Sequence, residues 1–442
     1  LFAPAQFGQG LYRVSESGGV ATPVTTLDTT RLELGHIYPS FLPDGRHFIF
    51  LVASGQPEYR GIRLGSLDQP QTNFLLRADA NAQYSSAGYL LFVRGRRILA
   101  QRLEPEKLAL SGDPVPVTER VNFELIGSYS DLSVFSDRML IFRQGGNLMS
   151  RLAWFDRRGN QLTAVGPPGE YRALALSPDN QQVILERNDP QTETSDLWQF
   201  DLAREIPTRL TSSPASETRP IWSPDGSRMA FASSGEGVGA IWQRGVRGDD
   251  KLERLLAEEP RPLAPSDWSR DGKFIVYWKQ NDKTGDDIKV LPLSGERKPG
   301  NYLATQFDEQ WGKVSPDGRW MAYQSNDSGR FEIYVQSFPE PGHKVTVSKT
   351  GGTHPRWRSD GKELYYVSAD HQLMAAPVQT GGSFTAGAPV ALFEIGNYGR
   401  RNNLYAYDVS ADGQRFLVVR PEEDASTRPL TVLQNWTTLL KQ

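Results

Sequence analysis

The chain has no cysteine among its 442 residues. That excludes a disulfide framework, a thiolate nucleophile and any metal site built on sulfur, and it fits cytoplasm and periplasm equally. Long hydrophobic runs are missing too. The longest wholly apolar stretch is Phe48 to Ala53, far short of the roughly 20 residues that span a bilayer as a helix. A formal charge of -3 gives no general pull toward phosphate backbones or anionic lipid. Helical periodicity is almost absent. Leu1-Phe2-Ala3-Pro4 has neither a basic region nor an apolar core of a secretory signal, so the start reads as an excision or a truncation.

What the chain has in excess is turn chemistry: 41 glycines and 30 prolines, with 10% aromatics. Without a collagen-like period, these suit many tight turns between short strands. Seven turns are built on aspartate, usually followed by glycine. Four of these aspartates, Asp179, Asp225, Asp271 and Asp317, are spaced 46 residues apart. Their contexts read Ser177-Pro178-Asp179-Asn180, Ser223-Pro224-Asp225-Gly226, Ser269-Arg270-Asp271-Gly272 and Ser315-Pro316-Asp317-Gly318, and further copies stand at Asp44, Asp360 and Asp412. A period of this length marks a repeat architecture. Proline presets φ at the first turn position, aspartate bonds its own backbone two residues on, and glycine accepts positive φ.

Each turn follows a short inner strand, such as Pro220-Ile221-Trp222, and precedes an apolar second strand, such as Phe274-Ile275-Val276-Tyr277 or Leu364-Tyr365-Tyr366-Val367. A third strand (Glu332-Ile333-Tyr334-Val335) and a more polar fourth (Thr208-Arg209-Leu210-Thr211) complete the unit. Four antiparallel strands per 40 to 50 residues are the signature of a β-propeller blade. The fold class is therefore all-β, a propeller of four-stranded blades. Weaker copies around Tyr89 to Val93 and Met139 to Phe142 bring the count to about nine.

Nine blades close as one ring or two. The third and ninth units resemble each other: Leu152-Ala153-Trp154-Phe155 is expected as a third strand in one, Leu430-Thr431-Val432-Leu433 in the other. The last unit then lacks a fourth strand, which Gln161 to Val165 is placed to supply. This reading gives a partial first propeller over residues 1–158 and a six-bladed propeller over residues 159–442, with a single nine-bladed ring as the alternative.

The repeated Asp turns resemble the TolB-like propeller family, named for its Pro-Asp repeat. The finer text, including Phe41-Leu42-Pro43-Asp44-Gly45 and Tyr407-Asp408-Val409-Ser410-Ala411-Asp412-Gly413, resembles the propeller region of bacterial receptor-type serine/threonine kinases. That resemblance implies a propeller outside the cytoplasm, tethered through an upstream membrane segment. It carries no kinase site, because the chain has no His-Arg-Asp loop, Asp-Phe-Gly motif or glycine-rich phosphate loop. WD-type propellers match less well, since no Trp-Asp dipeptide occurs.

Catalytic readings find little footing. Gly-x-Ser-x-Gly is missing. The repeated aspartates are hairpin devices, since an active site needs different groups converging once. His36, His47, His343, His354 and His371 lack zinc-site spacing and read as turn and surface residues. Gly235 to Gly239 and Arg247-Gly248-Asp249 read as loops. Trp222, Trp268, Trp320 and Trp357 recur at positions read as equivalent and are assigned to packing between blades. Arg172, Arg219, Asp267, Trp311, His354 and Tyr405, placed just before the inner strands, differ from blade to blade. They are the expected binding surface at the channel mouth.

The expected function is a non-catalytic recognition or sensor propeller for a protein, peptide or cell-wall-derived ligand, with no cofactor, no metal and no nucleic acid. A periplasmic TolB-like scaffold and the gating propeller of a prolyl-oligopeptidase-like peptidase are the alternatives.

Overall fold

A computed structural model describes all residues except 5–7, 55–57, 119–120, 122, 125–128, 136–137, 144–148, 190–191, 193, 235–238, 248–250, 258–261, 282, 396–405, 423–429 and 442. The motifs at Gly235 and Gly248, and Tyr405, lie outside the described residues.

The hairpins form as the turn chemistry dictates. Ser223 donates its hydroxyl to Asp225 at 2.5 Å, and the same carboxylate oxygen accepts the Ser227 backbone N–H at 3.0 Å. The serine oxygen in turn accepts the Arg228 N–H at 2.9 Å, which starts the second strand. Asp179, Asp271, Asp317 and Asp412 repeat this arrangement. The carboxylates are thus consumed inside the turns, with Gly226, Gly272 and Gly318 at φ 67, 74 and 74 behind three of them.

The chain divides into two compact units, Leu148–Glu423 and Leu1–Asn147 with Asp424–Gln442. In the first of these, six antiparallel sheets form a ring. Five are continuous in sequence. Their inner strands are Tyr171–Leu176, Glu217–Trp222, Leu263–Trp268, Glu309–Val314 and Thr353–Trp357. The sixth combines Tyr407–Val409 and Arg415–Pro421 with Ser150–Asp156 and Gln161–Gly169, drawn from the other end of the unit. The ring closes through two contacts of this sheet: the Leu176 N–H donates to Asp408 at 3.0 Å, and the Tyr407 hydroxyl donates to the His354 carbonyl at 2.7 Å.

Gln161–Gly169 therefore joins the last blade as its outer strand, while two third-strand expectations are corrected. Ser150–Asp156 pairs along its whole length with Arg415–Pro421, and Leu430–Gln434 pairs with Met139–Arg143. The two segments have exchanged partners. Either alternation of apolar residues suits either partner strand, so register and closure decide.

The closing hairpin is clamped by charge. Arg157 reaches both carboxylate oxygens of Glu363 at 2.8 and 3.0 Å, the Tyr365 hydroxyl at 3.0 Å and the Gly413 carbonyl at 3.0 Å. Although burial opposes the Glu363 charge, hydrogen bonds from Arg157, Tyr365 and Arg358 outweigh it and hold the carboxyl down at about 2. The stabilisation is thus present above the ordinary glutamate value near 4.5 and is lost as pH falls toward 2. Glu363→Gln should cost about 2–3 kcal/mol at pH 7 and progressively less below pH 4. Urea titrations of both proteins across that range check it.

The other unit holds sheets running Glu33–Phe41 to Asn73–Leu76 and Gln83–Ser85 to Ala109–Pro116. A third sheet is built from Leu132–Phe135, Met139–Arg143 and Leu430–Gln434. Trp436 is fully buried here, packed with Leu91, Val93 and Leu140. His36 is buried rather than superficial, between Thr25 at 2.7 Å and Glu33 at 3.0 Å.

Candidate functional site: the channel of the six-sheet ring

Arg172, Arg219, Asp267, Trp311 and His354 all face one cavity of about 310 Å³ within the six-sheet ring. They lie inside the inner strands, not in the connections leading to them. The reason is a repeated irregularity. The first five inner strands shift register against their neighbours, at Tyr171/Ala173, Thr218/Ile221, Pro265/Asp267, Gln310/Lys313 and Thr353/Arg356. Such a bulge lengthens one strand by a residue and re-aims a side chain.

At three of these bulges the residue is non-glycine and left-handed: Arg219, Trp311 and His354 have φ of 56, 58 and 56. Each conformation costs on the order of 1 kcal/mol, and surrounding structure must impose it. For Arg219 that structure is Glu186, which accepts the backbone N–H at 3.1 Å. For His354 it is Gln324, whose amide oxygen accepts the N–H at 3.0 Å while its amide nitrogen donates to Gln310 at 2.9 Å.

The three side chains then stack. The Arg219 guanidinium lies 4.9 Å from the centre of the Trp311 ring, and the His354 ring lies 4.9 Å from the Trp311 ring at 33°. Trp311 thus contacts both a cation and an imidazole. Burial, together with the Arg356 and Arg219 charges, drives the His354 pKa well below its ordinary value, so the imidazole is neutral at physiological pH.

A second layer lies nearer the turns. The residues four before the turn aspartates are Ala175, Ile221, Asp267, Lys313, Arg356 and Asp408, and the last four carry charge. Lys313 approaches Asp267 at 3.5 Å and Arg356 approaches Asp408 at 3.7 Å. Each aspartate also accepts a backbone N–H from the next blade, Val314 at 2.8 Å and Leu176 at 3.0 Å. Burial raises the Asp267 pKa and lowers that of Lys313. The pairs hold adjacent blades together and line the cavity at once. Lys313, Arg356 and Asp408 escape a search confined to the starts of the inner strands, yet counting back from each turn finds them.

The cavity runs from the bulge layer to the turns at Pro178, Pro224, Arg270, Pro316, Ser359 and Ala411. Pro178 and Arg270 are exposed there. Five cationic side chains line it (Arg172, Arg219, Arg270, Lys313 and Arg356) against two anionic ones, Asp267 and Asp408. Trp222 and Trp357 border the space and donate their indole N–H groups to the preceding blade, at Ala175 (2.8 Å) and Lys313 (2.9 Å). Trp320 is not their equivalent: it follows its turn and bonds Thr380 instead. Among the described residues, no group of three or more His, Asp or Glu is placed to hold a metal.

Residues 157–310 match the TolB beta propeller domain, the PD40 repeat. That stretch is similar to the TolB-like propeller repeat. An uncharacterized protein of Agrobacterium fabrum is 25% identical over 288 residues, which cover 62% of this chain and 94% of that one. Among solved structures, a candidate TolB from Agrobacterium tumefaciens is 20% identical, covers 63% of this chain and 100% of its own, and has a TM-score of 0.49. TolB from Acinetobacter baumannii is 17% identical over 78% of this chain and 79% of its own, with a TM-score of 0.42.

Proposed function

We propose that this TolB-like chain is a non-catalytic protein-interaction scaffold working outside the cytoplasm, and that the turn-lined end of its channel is the recognition surface. One observation carries the reading. Register-equivalent positions hold dissimilar side chains, several of them polar or charged, and these converge on one cavity, while the repeated aspartates are spent in turns. A rigid ring that holds varied groups at one opening suits recognition of a peptide or a protein loop. Placement in the periplasm follows the TolB resemblance. In its finer form, the scaffold is the sensor region of a membrane-tethered serine/threonine kinase; a ligand would then act by binding one receptor state more tightly than the other.

Site-specific photo-crosslinking in cells that make the protein naturally tests this reading. A benzophenone side chain at Arg270, exposed at the cavity mouth, should trap a discrete protein adduct; the same group at Ile206, exposed beside the outer strand Pro207–Arg209, should not. Adducts from Ile206 alone, or equal adducts from both positions, would contradict it.

A further inference from the structure

A hydrogen-bonded chain crosses three blades of the ring and ends at the channel. Its outer end is Asp286, at the start of strand Gly285–Pro292. Asp286 accepts the Gln310 amide nitrogen. The Gln310 amide oxygen accepts the Gln324 amide nitrogen at 2.9 Å, and the Gln324 amide oxygen accepts the His354 backbone N–H at 3.0 Å. Gln324 and His354 are buried. The chain touches both bulges of one stack, since Gln310 directly precedes Trp311 and His354 carries the ring that lies against it. The direction of the two amides follows from the ends. An ionised carboxylate only accepts, so Gln310 turns its nitrogen to Asp286; its oxygen is left for Gln324, and the Gln324 oxygen for His354.

The charged groups around Asp286 are mostly of its own sign. Asp287 follows it on the same strand. Asp308, which accepts the Asp286 N–H at 3.1 Å and the Asn326 amide at 2.8 Å, and Glu309, capped by Thr305, come from the inner strand packed against it. On the paired strand Phe274–Asn281, Lys279 is in register with Asp287, and the uncharged Gln280 with Asp286. Lys283 is exposed in the connecting turn. Burial, with the Asp308 and Asp287 charges, pushes the Asp286 carboxyl up to about 6, while the Gln310 bond opposes the rise. Anion and relay therefore support each other: the amide favours the charge, and the charge favours the present amide direction. A protonated carboxyl donates as well as accepts, so it no longer fixes that direction. With the amides turned over, Gln324 offers a second donor to the His354 N–H. The left-handed residue, at φ 56, then loses the acceptor that imposes its conformation.

We infer that Asp286 is an acid-sensitive switch for the channel: ionised, it holds the relay that supports the His354 bulge; protonated, it releases that bulge and with it the ring stacked on Trp311. The switch goes beyond the scaffold reading and does not depend on it.

Labelling histidine alone with heavy nitrogen makes five backbone amides of the full chain visible by NMR, and the signal lost in His354→Gln is that of His354. Protection of this amide against hydrogen exchange, corrected for the intrinsic effect of pH, should fall about tenfold from about pH 7.5 to about pH 5, with its midpoint near 6. Asp286→Asn should fold, because a carboxyl raised from 3.8 to about 6 loses stability as pH rises through that range and the amide removes the cost. Its His354 protection should stay at the wild type's acid level at every pH. Gln324→Met cuts the relay with Asp286 in place and should also remove the pH dependence. Wild-type protection that is constant over this range overturns the inference. So does a fall that survives either substitution, or an Asp286→Asn chain that keeps the wild type's neutral-pH protection. Were Asp286→Asn not to fold, wild type and Gln324→Met decide on the same terms. Adducts at Arg270 bear only on the scaffold and the His354 amide only on the switch, so the two readings fail separately.

Discussion

Removing residues 424–442 should unfold the unit formed by Leu1–Asn147 while the six-sheet ring keeps its own transition. The deleted tail supplies Leu430–Gln434, which pairs with Met139–Arg143 across five residue pairs, and Trp436, which is fully buried. Trp436 packs edge-on to Tyr89 at 6.1 Å and fills the space between the second and third sheets of that unit. Truncating a buried tryptophan to alanine costs about 3–5 kcal/mol. Losing a strand as well exposes the edge of Met139–Arg143, and the sum rivals the roughly 5–15 kcal/mol that a domain has in total. Trp436→Ala is the graded version, lowering the melting temperature of this unit without unfolding it outright. Hydrogen exchange read by mass spectrometry checks both variants. Protection should vanish over Phe48–Val52 and Leu90–Val93 in the deletion and persist over Val183–Leu185 and Met321–Tyr323, which lie in the ring.

The second large effect concerns where the ring is cut. A fragment of residues 159–442 follows the repeat as the sequence presents it, yet it discards Ser150–Asp156, the strand between Arg415–Pro421 and Gln161–Gly169 in the sixth sheet. Leu152, Ala153, Trp154 and Phe155 are all buried, split between the cores on the two sides of that sheet. The cut also removes Arg157 and its bonds to Glu363, Tyr365 and Gly413. A missing central strand costs Arg415–Pro421 seven residue pairs and Gln161–Gly169 five. The ring cannot then close, and the fragment should be aggregation-prone through its open edges. Leu148–Glu423 retains every strand of all six sheets.

Much of this was legible in the residues alone. The spacing of Asp179, Asp225, Asp271 and Asp317 gave the blade, because the turn chemistry is local and each part of it lies within six residues. Gln161 to Val165 was recognisable as a closing strand since the last blade had to be completed from elsewhere. The exchange of Ser150–Asp156 and Leu430–Gln434 was not, for both are short apolar runs suited to a strand after a similar hairpin, and the choice between them is made by long-range packing. At the channel, Arg172, Arg219, Asp267, Trp311 and His354 were singled out because they vary where their neighbours repeat, and all five line one cavity. Their position was misjudged, since a bulge leaves no compositional mark; the register shifts of the inner strands, and the backbone φ of Arg219, Trp311 and His354, reveal it. Lys313, Arg356 and Asp408 required counting in register from the turn.

Everything proposed for the channel depends on the ring being closed by its own residues, and differential scanning calorimetry of two purified fragments measures that directly. Leu148–Glu423 should give one cooperative, reversible transition with the calorimetric and van't Hoff enthalpies equal, and residues 159–442 should give none. The opposite result, or equal cooperativity in the two fragments, would contradict closure through Ser150–Asp156 and with it the channel as described.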